Sequence, residues 1–139
     1  LVHDLPEAIT GDITPFDEHL EVEGADRDAL FRRAPQFSER AHMMKKEAER
    51  RALMGLTREL PTDLGTLLVE AWEDYEASES SEANLVRQLD KLETWLQARE
   101  YQAAQPDLTI ESFRLGTDRD VLDDTLRDLR RAIDALFDG

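Results

Sequence analysis

The sequence predicts an all-α fold, a single-domain helical bundle, and three observations carry that expectation. Apolar residues recur three and four positions apart through several long segments. No stretch sustains the period-two alternation of a half-buried strand. Proline, glycine and serine breaks fall between the periodic segments, where helices stop. At 139 residues the chain is long enough to bury one helical core, and its composition requires no second folding unit.

Taken in order, residues 1–12 (Leu-Val-His-Asp-Leu-Pro-Glu-Ala-Ile-Thr-Gly-Asp) place His3 and Asp4 on a short helical stretch that ends near Gly11, a residue able to take a positive φ after a helix. Residues 15–36 are rich in charge and contain Gly24 and Pro35, so they read as a surface connection with one short helical candidate at 26–33. A connection of this length is either a lid or binding loop or a plain insertion. A second helix is expected at 38–60, its stripe carried by Ala41, Met44, Ala48, Ala52, Leu56 and Leu60. Pro61 ends it and suits the first turn of a third helix, in which Leu64, Leu67, Leu68, Ala71, Trp72 and Tyr75 share a face. The run Ser78-Glu79-Ser80-Ser81 is a turn. A fourth helix follows at 81–102, with Leu85, Leu89, Leu92 and Leu96 expected to face the core. Residues 104–116 form a shorter connection. The last helix has Asp118 and Asp120 at its start, Leu122, Leu126, Leu129, Ile133 and Leu136 as its stripe, and Gly139 at its end, an arrangement suited to the helix dipole and to a stop.

Composition narrows the function classes. The formal net charge is −15, which argues against long nucleic acid as the principal ligand, because a phosphate backbone needs a basic surface. A small phosphorylated ligand stays open, since a divalent cation reverses the local field; the plain reading of the acidity is a solubilising exterior. There is no cysteine, so any metal site must use imidazole and carboxylate, and a reducing cytoplasm is the expected location. No apolar run approaches the roughly 20 residues of a membrane span, and the first residues lack the pattern of a signal peptide.

The chemistry-bearing residues cluster at the start. His3 and Asp4, with Glu7 and Asp12 close behind, form a compact set of metal ligands and acid/base groups. Neighbours on a helix diverge by about 100°, so a metal held by both must take its other ligands from elsewhere. Asp90, beside the stripe of the fourth helix, is the strongest candidate; the alternative is an exposed carboxylate paired with a neighbouring lysine or arginine. By themselves His3 and Asp4 also read as a surface histidine beside an ordinary acid, Glu7 as a helix-surface acid, and Asp12 as a turn aspartate capping an amide. His19 and His42 lack companion ligands at useful spacing. Trp72 and Tyr75 could stack a base, but they share an apolar face and read first as core.

In combination, His3-Asp4-Leu5-Pro6-Glu7, Gly11-Asp12-Ile13-Thr14-Pro15, the helix at 46–52, Trp72-Glu73-Asp74-Tyr75-Glu76, Val86-Arg87-Gln88-Leu89-Asp90-Lys91-Leu92-Glu93 and Gln97-Ala98-Arg99-Glu100-Tyr101 resemble the HD-domain phosphohydrolases. Within them the resemblance is to the 5'-deoxynucleotidase branch. It covers residues 1–101, and its specificity lies in the order of the blocks.

The resemblance implies an HD-type bundle over residues 1–139 lacking its N-terminal helices, with a core at 1–103 and a connection and amphipathic helix at 104–139. It implies that His3 and Asp4 are the metal-binding doublet, that Asp90 completes the set, that Glu7 lies beside the nucleophilic water, and that Asp12 lies near the substrate. The family's earlier histidine ligand, its phosphate-contacting arginine and the adjacent aromatic residue are expected upstream of residue 1. The implied cofactor is one divalent ion, with Mn, Co, Ni, Fe, Zn and Mg all compatible with mixed N/O ligands. The implied activity is metal-dependent hydrolysis of deoxyribonucleoside 5'-monophosphates to deoxynucleoside and phosphate, by a homodimer acting on a small nucleotide. The alternatives are a non-catalytic HD-fold regulatory or scaffolding domain and a purely structural acidic bundle.

Overall fold

The computed structural model of the chain describes residues 2–20 and 26–138; Leu1, Gly24 of the first connection and the terminal Gly139 lie outside the described residues. Among the described residues the elements are α1 (Glu7–Thr10), α2 (Asp17–Leu20), α3 (Arg27–Phe31), α4 (Glu39–Thr57), α5 (Thr62–Ala77), α6 (Ser81–Ala104), α7 (Glu111–Asp120) and α8 (Asp124–Phe137), with no strand. The all-α expectation holds. The chain divides into two compact units, Leu1–Asp17 with Phe37–Asn84, and Glu18–Gln36 with Leu85–Gly139.

In the first unit α1 and α5 both pack on α4. The α4 helix starts where the Ser38 hydroxyl accepts from the Ala41 amide at 3.1 Å, an N-cap of the kind worth about 1 kcal/mol. Its covered face runs through Glu49, Ala52 and Leu53, while Met44, Leu56 and Leu60, expected in the buried stripe, are exposed. Pro61 separates α4 from α5 as expected. Gly65 lies on the covered face of α5, where a Cβ would meet the Thr57 carbonyl oxygen at 3.2 Å, so a residue without one allows the helices this close. Trp72 is the buried anchor of α5, whereas Leu64 and Leu67 are exposed. The helix stops at Ser78, which takes a left-handed conformation, and the Ser80 hydroxyl accepts from the Ala83 amide at 2.9 Å to open α6.

The second unit has its core in Leu92, Trp95, Ala98, Ile110, Val121, Leu126 and Ile133, with Leu96 and Phe137 packed alongside. The Trp95 indole donates from Nε1 to Asp134 Oδ1 at 2.9 Å, and the Arg99 and Arg130 guanidiniums lie 5.7 and 5.6 Å from its ring centre. Of the expected α6 stripe, Leu92 is buried but Leu85 and Leu89 are exposed. Residues 104–116 are not only a connection, since α7 begins at Glu111. It has few large apolar residues and buries Ser112, Gly116 and Thr117, a small-residue face that a count of large apolar side chains overlooks. The last helix begins at Asp124 rather than near Asp118, because Asp123 is its cap and accepts from the Leu126 amide at 3.1 Å. Gln88 Oε1 satisfies the Leu122 and Asp123 amides just before it. Leu126 and Ile133 are buried, and Leu122, Leu129 and Leu136 are exposed. No helix of the described residues is long and apolar enough to cross a membrane.

Candidate active site

His3 and Asp4 stand in the turn that precedes α1 rather than on a helix. The turn is anchored by the buried Pro6 and closed by the Glu7 amide donating to the Asp4 carbonyl oxygen at 3.0 Å. At the other end of α1, Gly11 takes φ 72° and donates to the Glu7 carbonyl oxygen at 2.9 Å, the positive-φ stop expected of a glycine there. The four residues of α1 thus hold His3, Asp4, Glu7 and Asp12 within one short loop-helix-loop.

The His3 ring stacks on Tyr75 of α5, with centroids 4.3 Å apart and planes 22° from parallel. Trp72 is core, as its apolar face suggests, whereas Tyr75 serves the histidine. His3 Nε2 is shielded from solvent and lies 2.9 Å from Asp4 Oδ1. Imidazole and carboxylate donors held at about 2.1 Å from one ion and near a right angle lie about 3 Å apart, so this separation fits joint ligation of a divalent metal. Asp90 belongs to the second unit, on α6. Its side chain is half-buried and pairs with the Lys91 ammonium at 3.2 Å, the pairing expected of an ordinary helical carboxylate. Among the described residues no three His, Asp or Glu side chains are grouped as a metal site. His19 closes α2, and His42 is exposed on α4 with its ring tilted against Phe37.

Behind the doublet lies a carboxylate cluster that the sequence reading did not single out in full. Glu7 is partly covered, and burial pushes its carboxyl above the ordinary value; Asp12 adds to the rise, Lys45 opposes it, and Asp4 and Glu49 add further. Glu49, on the covered face of α4, is only 4% exposed. Burial raises its carboxyl as well, against the Lys45 charge, with Glu76 and Asp12 contributing. Lys45 is the cation within this group, 3.8 Å from Glu7 Oε1, 3.4 Å from Glu49 Oε1 and donating to the Ile13 carbonyl oxygen at 3.1 Å. The signal was present in the sequence: Lys45 and Glu49 are four apart on one helix, and Glu49 lies three and four positions before Ala52 and Leu53. Chemically, the surface offers a shielded imidazole beside a carboxylate for a cation, and a carboxyl whose raised proton affinity suits it to proton transfer.

A family model described as HD domain matches residues 1–125. The chain is also similar to proteins named 5'-deoxynucleotidase HDDC2, with 40% identity to that of Bos taurus, 38% to that of Homo sapiens and 32% to that of Dictyostelium discoideum. Each similarity runs over 102 residues, 73% of this chain, and covers 40%, 40% and 43% of the respective relative. The chain therefore spans about two fifths of the length of the curated relatives it matches.

Proposed function

Since the chain belongs to the HD-domain family, we propose that it carries part of a metal-dependent phosphomonoesterase that hydrolyses deoxyribonucleoside 5'-monophosphates to deoxynucleoside and phosphate. The observation that carries this reading is the convergence of His3 Nε2 and Asp4 Oδ1 to 2.9 Å beside Glu7, whose proton affinity is raised. The names of the relatives, 5'-deoxynucleotidase, support the substrate class.

In this reading His3 and Asp4 hold one divalent ion (Mn, Co, Ni, Fe, Zn or Mg), with Asp90 as the aspartate that the family resemblance adds. When bound, the ion supplies Lewis-acid neutralisation of phosphoryl charge and activation of water. Stacking on Tyr75 restrains the His3 ring, so the imidazole need not be ordered when it binds. Glu7 orients the attacking water or passes a proton to the leaving 5'-oxygen, a task that suits a carboxyl raised by burial. Asp12, being negative, does not grip the phosphate; it holds a sugar hydroxyl or orders the segment after Gly11. The homodimer implied by the family resemblance belongs to the same reading and is supported by Leu129 and Leu136, exposed seven residues apart on α8. The reading takes the cytoplasm as the location, with which the cysteine-free composition is compatible.

The test is metal content and phosphate release by the full-length protein, wild type against Asp90→Ala. The variant is expected to lose about tenfold to a hundredfold or more in metal affinity or turnover, as ligand-shell changes do. Tight metal binding without phosphate release from any nucleotide would leave the non-catalytic regulatory or scaffolding reading in place of the enzyme.

A further inference from the structure

We propose that Lys45 is a positioning residue of the candidate active site, holding Glu7 and the backbone after Gly11 in a fixed relation through one ammonium group. The proposal rests on the phosphohydrolase reading and deepens it. Lys45 Nζ donates to the Ile13 carbonyl oxygen at 3.1 Å, across 32 positions of sequence. It lies 3.4 Å from Glu49 Oε1, 3.8 Å from Glu7 Oε1 and 5.6 Å from the centre of the Phe37 ring. These partners come from the segment after α1, from α4, from α1 and from the residue before the cap of α4. One side chain therefore fixes α1 and the segment that follows it to the face of α4.

A Lys–Glu pair four apart on a helix would ordinarily be a modest surface contact worth a few tenths of a kcal/mol. Three observations make this one different. Glu49 is buried, and a buried carboxylate without a cation is costly, so Glu49 fixes the lysine as firmly as the lysine neutralises it. The ammonium then reaches beyond its own helix to a backbone carbonyl and to Glu7. Finally, an ammonium has three N–H donors and no acceptor. This ammonium donates to one carbonyl and faces two carboxylates at 3.4 and 3.8 Å, so its charge is already balanced within the protein, which favours positioning over phosphate binding.

The charge balance points the same way. Glu7 feels Asp12, Asp4 and Glu49 as repulsive neighbours, and Lys45 as the attractive one. Removing the ammonium leaves Glu7 to turn away from the other carboxylates, and the Ile13 carbonyl loses its tether. A displacement of this kind near the chemistry lowers turnover more than affinity.

The experiment uses the metal-loaded full-length protein with Lys45→Met and Lys45→Arg. Lys45→Met is expected to lower kcat by about tenfold or more while KM for a deoxynucleoside 5'-monophosphate moves by less than about threefold. It is also expected to speed amide exchange at Gly11 and Thr14, which donate to Glu7 O and Asp17 Oδ2, with exchange at Leu53 and Trp72 unchanged. Lys45→Arg, which keeps the charge in a planar fork, is expected to fall between wild type and Lys45→Met. A large rise in KM with kcat preserved would make Lys45 a phosphate-binding group and overturn the proposal. So would unchanged exchange at Gly11 and Thr14, or equal acceleration at Leu53, which marks general destabilisation. Should Lys45→Met not fold, Lys45→Arg carries the test alone, and wild-type kcat and exchange in it overturn the proposal. Wild-type protein that releases no phosphate from any nucleotide defeats the phosphohydrolase reading, while the exchange comparison still decides whether Lys45 orders this segment.

Discussion

Glu49 and Lys45 illustrate what single residues contribute to this surface. Burial raises the Glu49 carboxyl above its ordinary 4.5 even with Lys45 beside it, so folding favours its protonated form. Stability from that preference is complete below about pH 4.5 and is lost as pH rises through the raised value. Wild type is therefore expected to lose stability relative to Glu49→Gln, whose amide does not titrate, between about pH 4 and about pH 7. Urea unfolding at the two pH values checks this, and a wild-type advantage that grows with pH would contradict the direction. The proximity of the candidate residues was legible in sequence for a simple reason: His3, Asp4, Glu7 and Asp12 lie within ten positions of one another, so one short loop-helix-loop carries all four. The Tyr75 ring on His3 and the reach of Lys45 to Ile13 join residues more than 30 positions apart, and no local spacing encodes such contacts.

At the scale of elements, the positions of α4, α5 and α6 followed from periodicity and stop signals, while which members of each apolar stripe are covered did not. The α8 helix makes the difference measurable. Leu126 and Leu129 are three residues apart on one helix, yet Leu126 is 8% exposed and Leu129 is 46% exposed. Leu126→Ala is expected to cost about 2–5 kcal/mol through lost burial and a residual cavity. Leu129→Ala is expected to cost less than about 0.5–1 kcal/mol, as exposed substitutions do. Thermal or urea unfolding of the two variants distinguishes them, and equal losses would mean that the stripe is covered as a whole. In α4 Ala52 is covered as expected, but Glu49 and Leu53 are covered with it while Met44 and Leu56 are exposed. The α7 helix was missed because its buried positions are Ser112, Gly116 and Thr117, which carry no large apolar side chain to count.

On the scale of the whole molecule, the acidity and the exposed leucines bear on what the protein meets. With a net charge of −15 the surface repels extended phosphate backbones, whereas a small nucleotide bound through a cation is not subject to that field in the same way. Leu129 and Leu136 are exposed seven residues apart on α8, so on the homodimer reading Leu136→Glu in the full-length protein is expected to shift the mass in solution from dimer to monomer. Light scattering across a concentration series checks this; a dimer unaffected by Leu136→Glu would place the contact elsewhere. The sequence by itself determined the all-α class, the approximate extents of α4, α5 and α6 and the close spacing of His3, Asp4, Glu7 and Asp12, because these depend on interactions within a few residues along the chain. Only the tertiary structure decided which leucines are covered, that α7 exists, and that Lys45 and Tyr75 serve the cluster, because burial and long-range pairing depend on which surfaces the folded chain brings together.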